Sequence, residues 1–64
     1  MQNFHKYLTE REVSEFTRIG MKTLQQHRWK NKGIPFHKFG GTVRYSEEDV
    51  LQYMKNCRVE TEID

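Results

Sequence analysis

Three histidines, one cysteine and nine acidic residues are the side chains of this 64-residue chain that are capable of metal binding or acid–base catalysis. Structural zinc sites use short paired spacings, and His5, His27, His37 and Cys57 show none of them. The carboxylates lie where helix capping and solubility explain them, and the glycines form no phosphate-cradling loop. We therefore expect no catalytic residue, no metal site, no cofactor, no small-molecule ligand and no enzymatic activity.

Long polar side chains recur along one short predicted helix, at Lys22, Gln25, Gln26 and Lys30. In the major groove of duplex DNA, glutamine can pair with adenine at two atoms, and lysine can reach guanine or a phosphate. Thr23, or the first backbone amides of this helix, can bind a phosphate as helix starts do. The alternative is a solvated helix face, because exposed glutamines and lysines are common on any protein.

Charge is segregated along the chain, although the net charge is only +2. Residues 18–45 hold seven of the eleven Lys and Arg and none of the nine Asp and Glu, which lie toward the two ends. This arrangement attracts a polyanion to the middle segment and repels it from the ends. The lone Cys57 indicates a reducing compartment, and we see neither a signal-peptide pattern nor a membrane-spanning apolar run. We expect a cytoplasmic protein that does not contact membranes.

The first predicted helix covers residues 10–17 and has a clear start. Thr9 and Glu12 have the spacing of a capping box, in which a hydroxyl accepts from one backbone amide and a carboxylate from another. Gly20 predicts the end of the helix, because glycine readily adopts the left-handed backbone of a tight turn.

A second helix is predicted from about Lys22 to Trp29, with Met21 and Leu24 packing inward. Two helices joined by a short turn that contains glycine form the helix-turn-helix pattern. Trp29 has two interpretations. Core packing beneath the following hairpin is slightly favoured, because so short a domain has few large apolar side chains. The alternative is a partly exposed ring that lies along a DNA backbone.

Two β-prone runs, residues 36–39 and 42–45, flank Gly40-Gly41 and predict a hairpin with a two-residue loop. In that register Phe36 opposes Tyr45, and both side chains face the core. The hairpin can carry positive charge and bare backbone to a neighbouring groove. The residues predicted to do so are Lys38, Gly41, Thr42 and Arg44.

A third helix is predicted to begin after Ser46, which can cap it, and to end near Asn56. Residues 57–64 are polar, acidic and without periodicity, so we expect a flexible tail that follows a single folded domain of residues 1–56. The apolar stripe predicted for the third helix consists of Val50, Leu51 and Met54.

Several of these segments together resemble the small MerR-like winged-helix proteins of phages and integrated elements, which include excisionases (recombination directionality factors) and AlpA-type regulators. The resemblance covers about residues 7–55, and the hairpin block is its most specific part. The segments that carry it are Tyr7 to Val13, Thr23 to Gln26, Gly33 to Phe36, Lys38 to Tyr45 and Asp49-Val50.

The resemblance implies a mainly α fold with a β-hairpin, a winged helix-turn-helix in the order helix, helix, wing, helix. The second helix would enter the major groove, and the wing tip would reach the adjacent minor groove or backbone. His27 stands where relatives often carry a tryptophan, and Trp29 follows two residues later. The positions that the resemblance places against DNA are Lys22, Gln26 and Trp29 on the helix and Gly41, Thr42 and Arg44 in the wing.

Two related functions follow from the resemblance. An excisionase-like architectural factor binds repeated sites on double-stranded DNA beside neighbouring copies of itself, bends the DNA, and directs a tyrosine or serine integrase toward excision. An AlpA-type transcriptional regulator uses the same surface at a promoter. A third hypothesis, from a different class, is a protein-interaction module such as an antirepressor, whose basic face meets an acidic partner.

Overall fold

A computed structural model describes residues 6–61 of the chain. His5, which we considered as a metal ligand, and residues 62–64 of the predicted acidic tail lie outside these residues. None of the helices in the described part is long and apolar enough to cross a membrane. The elements are β1 (Tyr7–Leu8), α1 (Glu10–Thr17), α2 (Met21–Trp29), β2 (His37–Phe39), β3 (Thr42–Ser46) and α3 (Glu47–Asn56).

The three strands form one antiparallel sheet in the order β1-β3-β2, with β2 and β3 as the hairpin. Helices α1 and α2 precede this hairpin and α3 follows it. The predicted fold class, a winged helix-turn-helix with a hairpin wing, is therefore confirmed.

The capping box at the start of α1 is also confirmed. The Thr9 hydroxyl accepts a hydrogen bond from the Glu12 N–H at 3.1 Å, and the Glu12 carboxylate accepts one from the Thr9 N–H at 2.9 Å. The bond from the Thr9 N–H holds the pKa of the Glu12 carboxyl below its ordinary value, because it favours the charged form.

The turn between α1 and α2 differs from the prediction. Arg18 has the left-handed backbone, with φ of 64°, whereas Gly20 has φ of −60° and is the N-cap of α2. Hydroxyl groups hold this turn: Ser14 donates to the Ile19 carbonyl at 2.6 Å, and Thr17 accepts from the Ile19 N–H at 3.1 Å. These local bonds satisfy the backbone of the turn without a left-handed glycine.

Nearly every element contributes one buried apolar residue to the core. In the described chain, α2 buries only Leu24 completely, so its hold on the core is small. The buried core residues are Leu8, Val13, Leu24, Ile34, Tyr45 and Val50.

The apolar stripe predicted for α3 was wrong in two of its three members. Val50 is buried, but Leu51 and Met54 are 49% and 40% exposed. Tyr53 packs against the core instead. The reason is helix geometry: Tyr53 lies about 60° from Val50 on one side, whereas Met54 and Leu51 lie about 40° and 100° from it on the other, so the buried face is centred between Val50 and Tyr53. The prediction that Ser46 caps the start of α3 is confirmed, because its hydroxyl accepts a hydrogen bond from the Asp49 N–H at 3.3 Å.

The wing has the predicted register, in which His37 opposes Arg44 and Lys38 opposes Val43 across a two-residue loop.

Strand β1 was not predicted, because two residues give no periodicity to detect. It pairs with the end of β3, and Tyr7 packs edge-on against His37 and Phe39, with ring centroids 5.2 and 5.8 Å apart. The wing is therefore braced by a third strand.

A close contact fixes the turn after α2. Gly33 has φ of 85°, and a Cβ atom added there would lie 2.7 Å from Nδ1 and 2.8 Å from Cβ of His27. The backbone of the same turn is tied by the Lys32 N–H, which donates to the His27 carbonyl at 2.9 Å. Gly33 is thus required both by its backbone conformation and by the imidazole beneath it.

We predict that Gly33→Ala lowers the free energy of unfolding by about 1–3 kcal/mol, because a left-handed alanine is strained and its methyl group overlaps His27. Urea denaturation followed by circular dichroism measures this loss. Gly41→Ala is the matched control, since Gly41 has no atom within 4 Å of an added Cβ and no positive φ. Equal losses in the two variants would contradict the prediction.

Candidate nucleic-acid interface

Helix α2 presents a row of exposed polar side chains to solvent. Lys22, Gln25, Gln26 and Trp29 line one shallow cleft on its outer side. Their spacing of three, four and seven residues places them on one face of the helix. Four of the residues predicted to contact DNA are therefore adjacent to one another.

The core-packing interpretation of Trp29 was wrong, because the indole is 86% exposed. Trp29 follows the buried Leu24 by five residues, which turns it about 140° away from the inner face of α2. His27, on the inner side of the helix, is partly buried beneath Gly33. The structure thus places the imidazole inside and the indole outside.

A second cleft separates α2 from the wing. Because it shares Gln25 and Trp29 with the first cleft, the two are continuous. We call the exposed residues Lys22, Gln25, Gln26, Trp29 and Lys38 the helix–wing surface. The second cleft is lined by Gln25, Arg28, Trp29, Asn31, Phe36 and Lys38.

The other predicted contact residues are not all part of this surface. Thr42 and Arg44 alternate with the core-facing Val43 and Tyr45, so they lie on the outer face of the sheet. The Arg44 guanidinium donates to the Val43 carbonyl at 2.7 Å. Thr23 on α2, Lys30 at its C-cap and Gly41 at the wing tip are exposed but line neither cleft.

A polar network between α1, α2 and β3 includes one residue of the helix–wing surface, Gln25. One oxygen of the Glu10 carboxylate accepts from the Arg28 guanidinium at 2.7 and 3.1 Å, and its other oxygen accepts from the Gln25 amide at 2.9 Å. The Tyr45 hydroxyl also accepts from Arg28, at 3.1 Å. We call these four residues the Glu10 network. It links α1, α2 and β3.

Two members of the Glu10 network have pKa values that are shifted from their ordinary values. Glu10 raises the pKa of Arg28, because hydrogen bonds to a carboxylate favour the charged guanidinium. Burial raises the pKa of Tyr45, because a phenolate is poorly solvated beside the core. Both charged side chains are mostly buried, with 22% of Arg28 and 14% of Glu10 exposed.

The sequence analysis missed this network and counted Arg28 among the cations available to a polyanion. The Glu10 carboxylate neutralises that charge in the structure. No local signal identifies the pair, because its members are 18 residues apart in different helices. Only the packing of α1 against α2 brings them together.

The fold and this exposed, largely polar surface define a winged helix-turn-helix domain for nucleic-acid binding. Comparison with known protein families matches residues 7–58 to a family described as a helix-turn-helix domain. The chain belongs to this family, which comprises AlpA- and excisionase-like small DNA-binding proteins. It is thus a DNA-binding domain, for double-stranded DNA. No significant match was found among curated proteins or among solved structures.

We predict that Tyr45→Phe lowers the free energy of unfolding by about 1 kcal/mol at neutral pH, because the variant lacks the bond from Arg28. The raised pKa means that folded Tyr45 holds its proton more tightly than the unfolded chain does. Its contribution is therefore complete below the unfolded pKa of about 10 and is lost as the pH rises through the folded value. Urea denaturation at neutral pH and above about pH 10 should show the two proteins converging.

Tyr7→Phe is the control for this prediction, because Tyr7 is 43% exposed and outside the Glu10 network. It should unfold like the wild type under both conditions. A constant difference between wild type and Tyr45→Phe at the two pH values would show that ionisation of Tyr45 does not affect stability.

Proposed function

We propose that the domain binds specific duplex sequences through the helix–wing surface and acts as an excisionase-like architectural factor that directs an integrase toward excision. The observation that best supports contact with DNA is the exposed Trp29 beside Lys22, Gln25 and Gln26. A large aromatic ring in solvent contributes little to folding, whereas beside DNA it supplies apolar contact area. Lysines around it neutralise phosphates.

The proposal assigns a role to each contact residue. Helix α2 lies in the major groove, where Gln25 and Gln26 face base edges. Trp29 lies along the sugar–phosphate backbone, and Thr23 and the uncapped amides at the start of α2 receive a phosphate. The wing tip reaches the adjacent minor groove or backbone through Gly41, Thr42 and Arg44. The residues proposed to contact phosphates through their ammonium groups are Lys22, Lys30 and Lys38.

Binding to labelled duplex at graded salt tests the DNA contact. A domain that neutralises about five phosphates should lose affinity with a slope of log affinity against log salt of roughly −4 to −5. Fluorescence anisotropy measures this slope. A protein-interaction module would leave the duplex unbound even at low salt.

We predict that Gln26→Ala and Lys30→Ala change binding in different ways. Gln26→Ala should reduce discrimination against a wrong base by about 1–3 kcal/mol, because a base contact carries sequence information. Lys30→Ala should weaken all duplexes alike and reduce the salt slope by about 1, because a phosphate contact carries none. Anisotropy on the preferred duplex and on single-base variants separates the two effects.

Gln52→Ala and Lys55→Ala are the matched controls, since both residues are exposed on α3. They have the same side-chain types but lie on α3 rather than on α2, its C-cap or the wing, so both should bind like the wild type. If the α3 variants lost binding and the α2 variants kept it, the proposed face would be wrong.

Footprinting on the DNA around the encoding gene distinguishes excision from regulation. Protection of repeated sites beside an attachment site supports the excisionase-like role, and protection over a promoter supports an AlpA-type regulator instead. A small winged helix makes few base contacts, so we propose that specificity comes from neighbouring copies on the DNA and from the integrase. Cooperative extension of the footprint with protein concentration tests that proposal.

A further inference from the structure

We infer that Phe39, at the tip of the wing, inserts between two base pairs from the minor groove and kinks the duplex at that step. This inference rests on the proposed function, in which the wing tip reaches the minor groove beside the site of α2. It adds an apolar contact residue to the polar ones already assigned, and it gives the wing a preference for base steps that unstack easily.

Phe39 is the last residue of β2 before the wing loop, and its side chain is 53% exposed. It opposes Thr42 across the hairpin, and the two residues between them, Gly40 and Gly41, have no side chains. A Cβ atom added at either glycine would meet no atom within 4 Å apart from those of its chain neighbours. The wing tip is therefore slender and carries an accessible ring, which suits a minor groove about 6 Å wide.

Two neighbouring rings hold the Phe39 ring in place. The His37 ring is parallel to it within 5°, with the ring centroids 6.0 Å apart, and Tyr7 packs edge-on against it with the centroids 5.8 Å apart. Tyr7 belongs to β1, so the third strand of the sheet supports the ring. These contacts restrict the side chain before DNA is bound, so insertion loses less conformational entropy than it would for a freely rotating ring.

The charges around Phe39 favour duplex DNA as the partner of this ring. Lys38 precedes it on β2, Arg44 lies diagonally across the hairpin on the same face of the sheet, and residues 18–45 contain no Asp or Glu. The Asp49 carboxylate meets the aromatic cluster at His37, 3.8 Å from Nε2 and two residues back from the tip. An apolar side chain flanked by cations is the combination that minor-groove proteins use to unstack a base step and hold the adjacent phosphates.

Unstacking can be measured with the wild-type protein. Selection from a random duplex library gives the preferred site, and 2-aminopurine is placed in turn at each flanking position, in duplexes that bind a single copy. We expect its fluorescence to rise about twofold or more at one step, because stacking quenches it and insertion removes the stacking. A mismatch at that step lowers the cost of unstacking, so it should tighten binding about fivefold. Among matched steps, the flexible pyrimidine–purine steps should bind best there.

Phe39→Ala tests whether this ring opens the step. The variant should still bind through α2, but without the rise in fluorescence and without any gain from the mismatch, because no ring enters the step. Phe39→Leu should retain part of both effects, since leucine also serves as an apolar wedge. Phe16→Ala is the matched control, because Phe16 is likewise 53% exposed but lies on α1. It should behave like the wild type in both measurements.

The outcomes are separable. If the wild type fails to bind any duplex, the proposed function is overturned. If it binds but no flanking position brightens and no mismatch tightens binding, the inference alone is overturned. If Phe39→Ala keeps both effects, another residue opens the step. If that variant keeps both effects and loses only the cooperative binding of a second copy to a longer duplex, Phe39 contacts protein and the inference is again wrong. The measurements on the wild type need no variant to fold.

Discussion

The carboxylate of Glu10 joins α1 to α2 and, through Arg28, to β3, and the orientation of α2 depends on it. In the described chain, Leu24 is the only residue of α2 that is completely buried. Burial of one such side chain stabilises the fold by about 1.5–3 kcal/mol, but it does not fix how the helix is rotated about its own axis. The directional hydrogen bonds that Glu10 accepts from Gln25 and Arg28 fix this rotation. Because the pair is mostly buried, removing either partner would leave the other charge desolvated and unpaired.

Three outer side chains of α2 have no role in packing the core. Lys22, Gln26 and Trp29 are exposed and contribute no buried core surface, although the chain has a single tryptophan and a thin core. A side chain selected for stability would be expected inside, where an indole gives the largest gain. Its position outside is explained by the proposed contact with DNA, which buries the ring only in the complex.

Features that depend on residues close together in the chain could be predicted from the sequence, whereas features that depend on packing between distant elements could not. The capping box at Thr9 and the hairpin register around Gly40 depend on residues close in the chain, and both predictions were confirmed. Strand β1 forms only because β3 offers it an edge. The pairing of Arg28 with Glu10 depends on how α1 packs against α2, which helical periodicity alone does not specify. The exposure of Trp29 could have been predicted from periodicity, because Trp29 follows the inward-facing Leu24 by five residues.

The same pair also affects the electrostatics of the proposed interface. Glu10 begins α1 within hydrogen-bonding distance of Gln25, so an unpaired carboxylate there would repel the phosphates that the surrounding lysines attract. Arg28 neutralises it at 2.7 Å, and the two side chains add no net charge. Attraction of DNA then depends on the remaining cations of residues 18–45, which are exposed except for the half-buried Arg44. In the proposed interface, Arg28 therefore adds no net positive charge, and its effect is to remove the carboxylate charge that would oppose the phosphates.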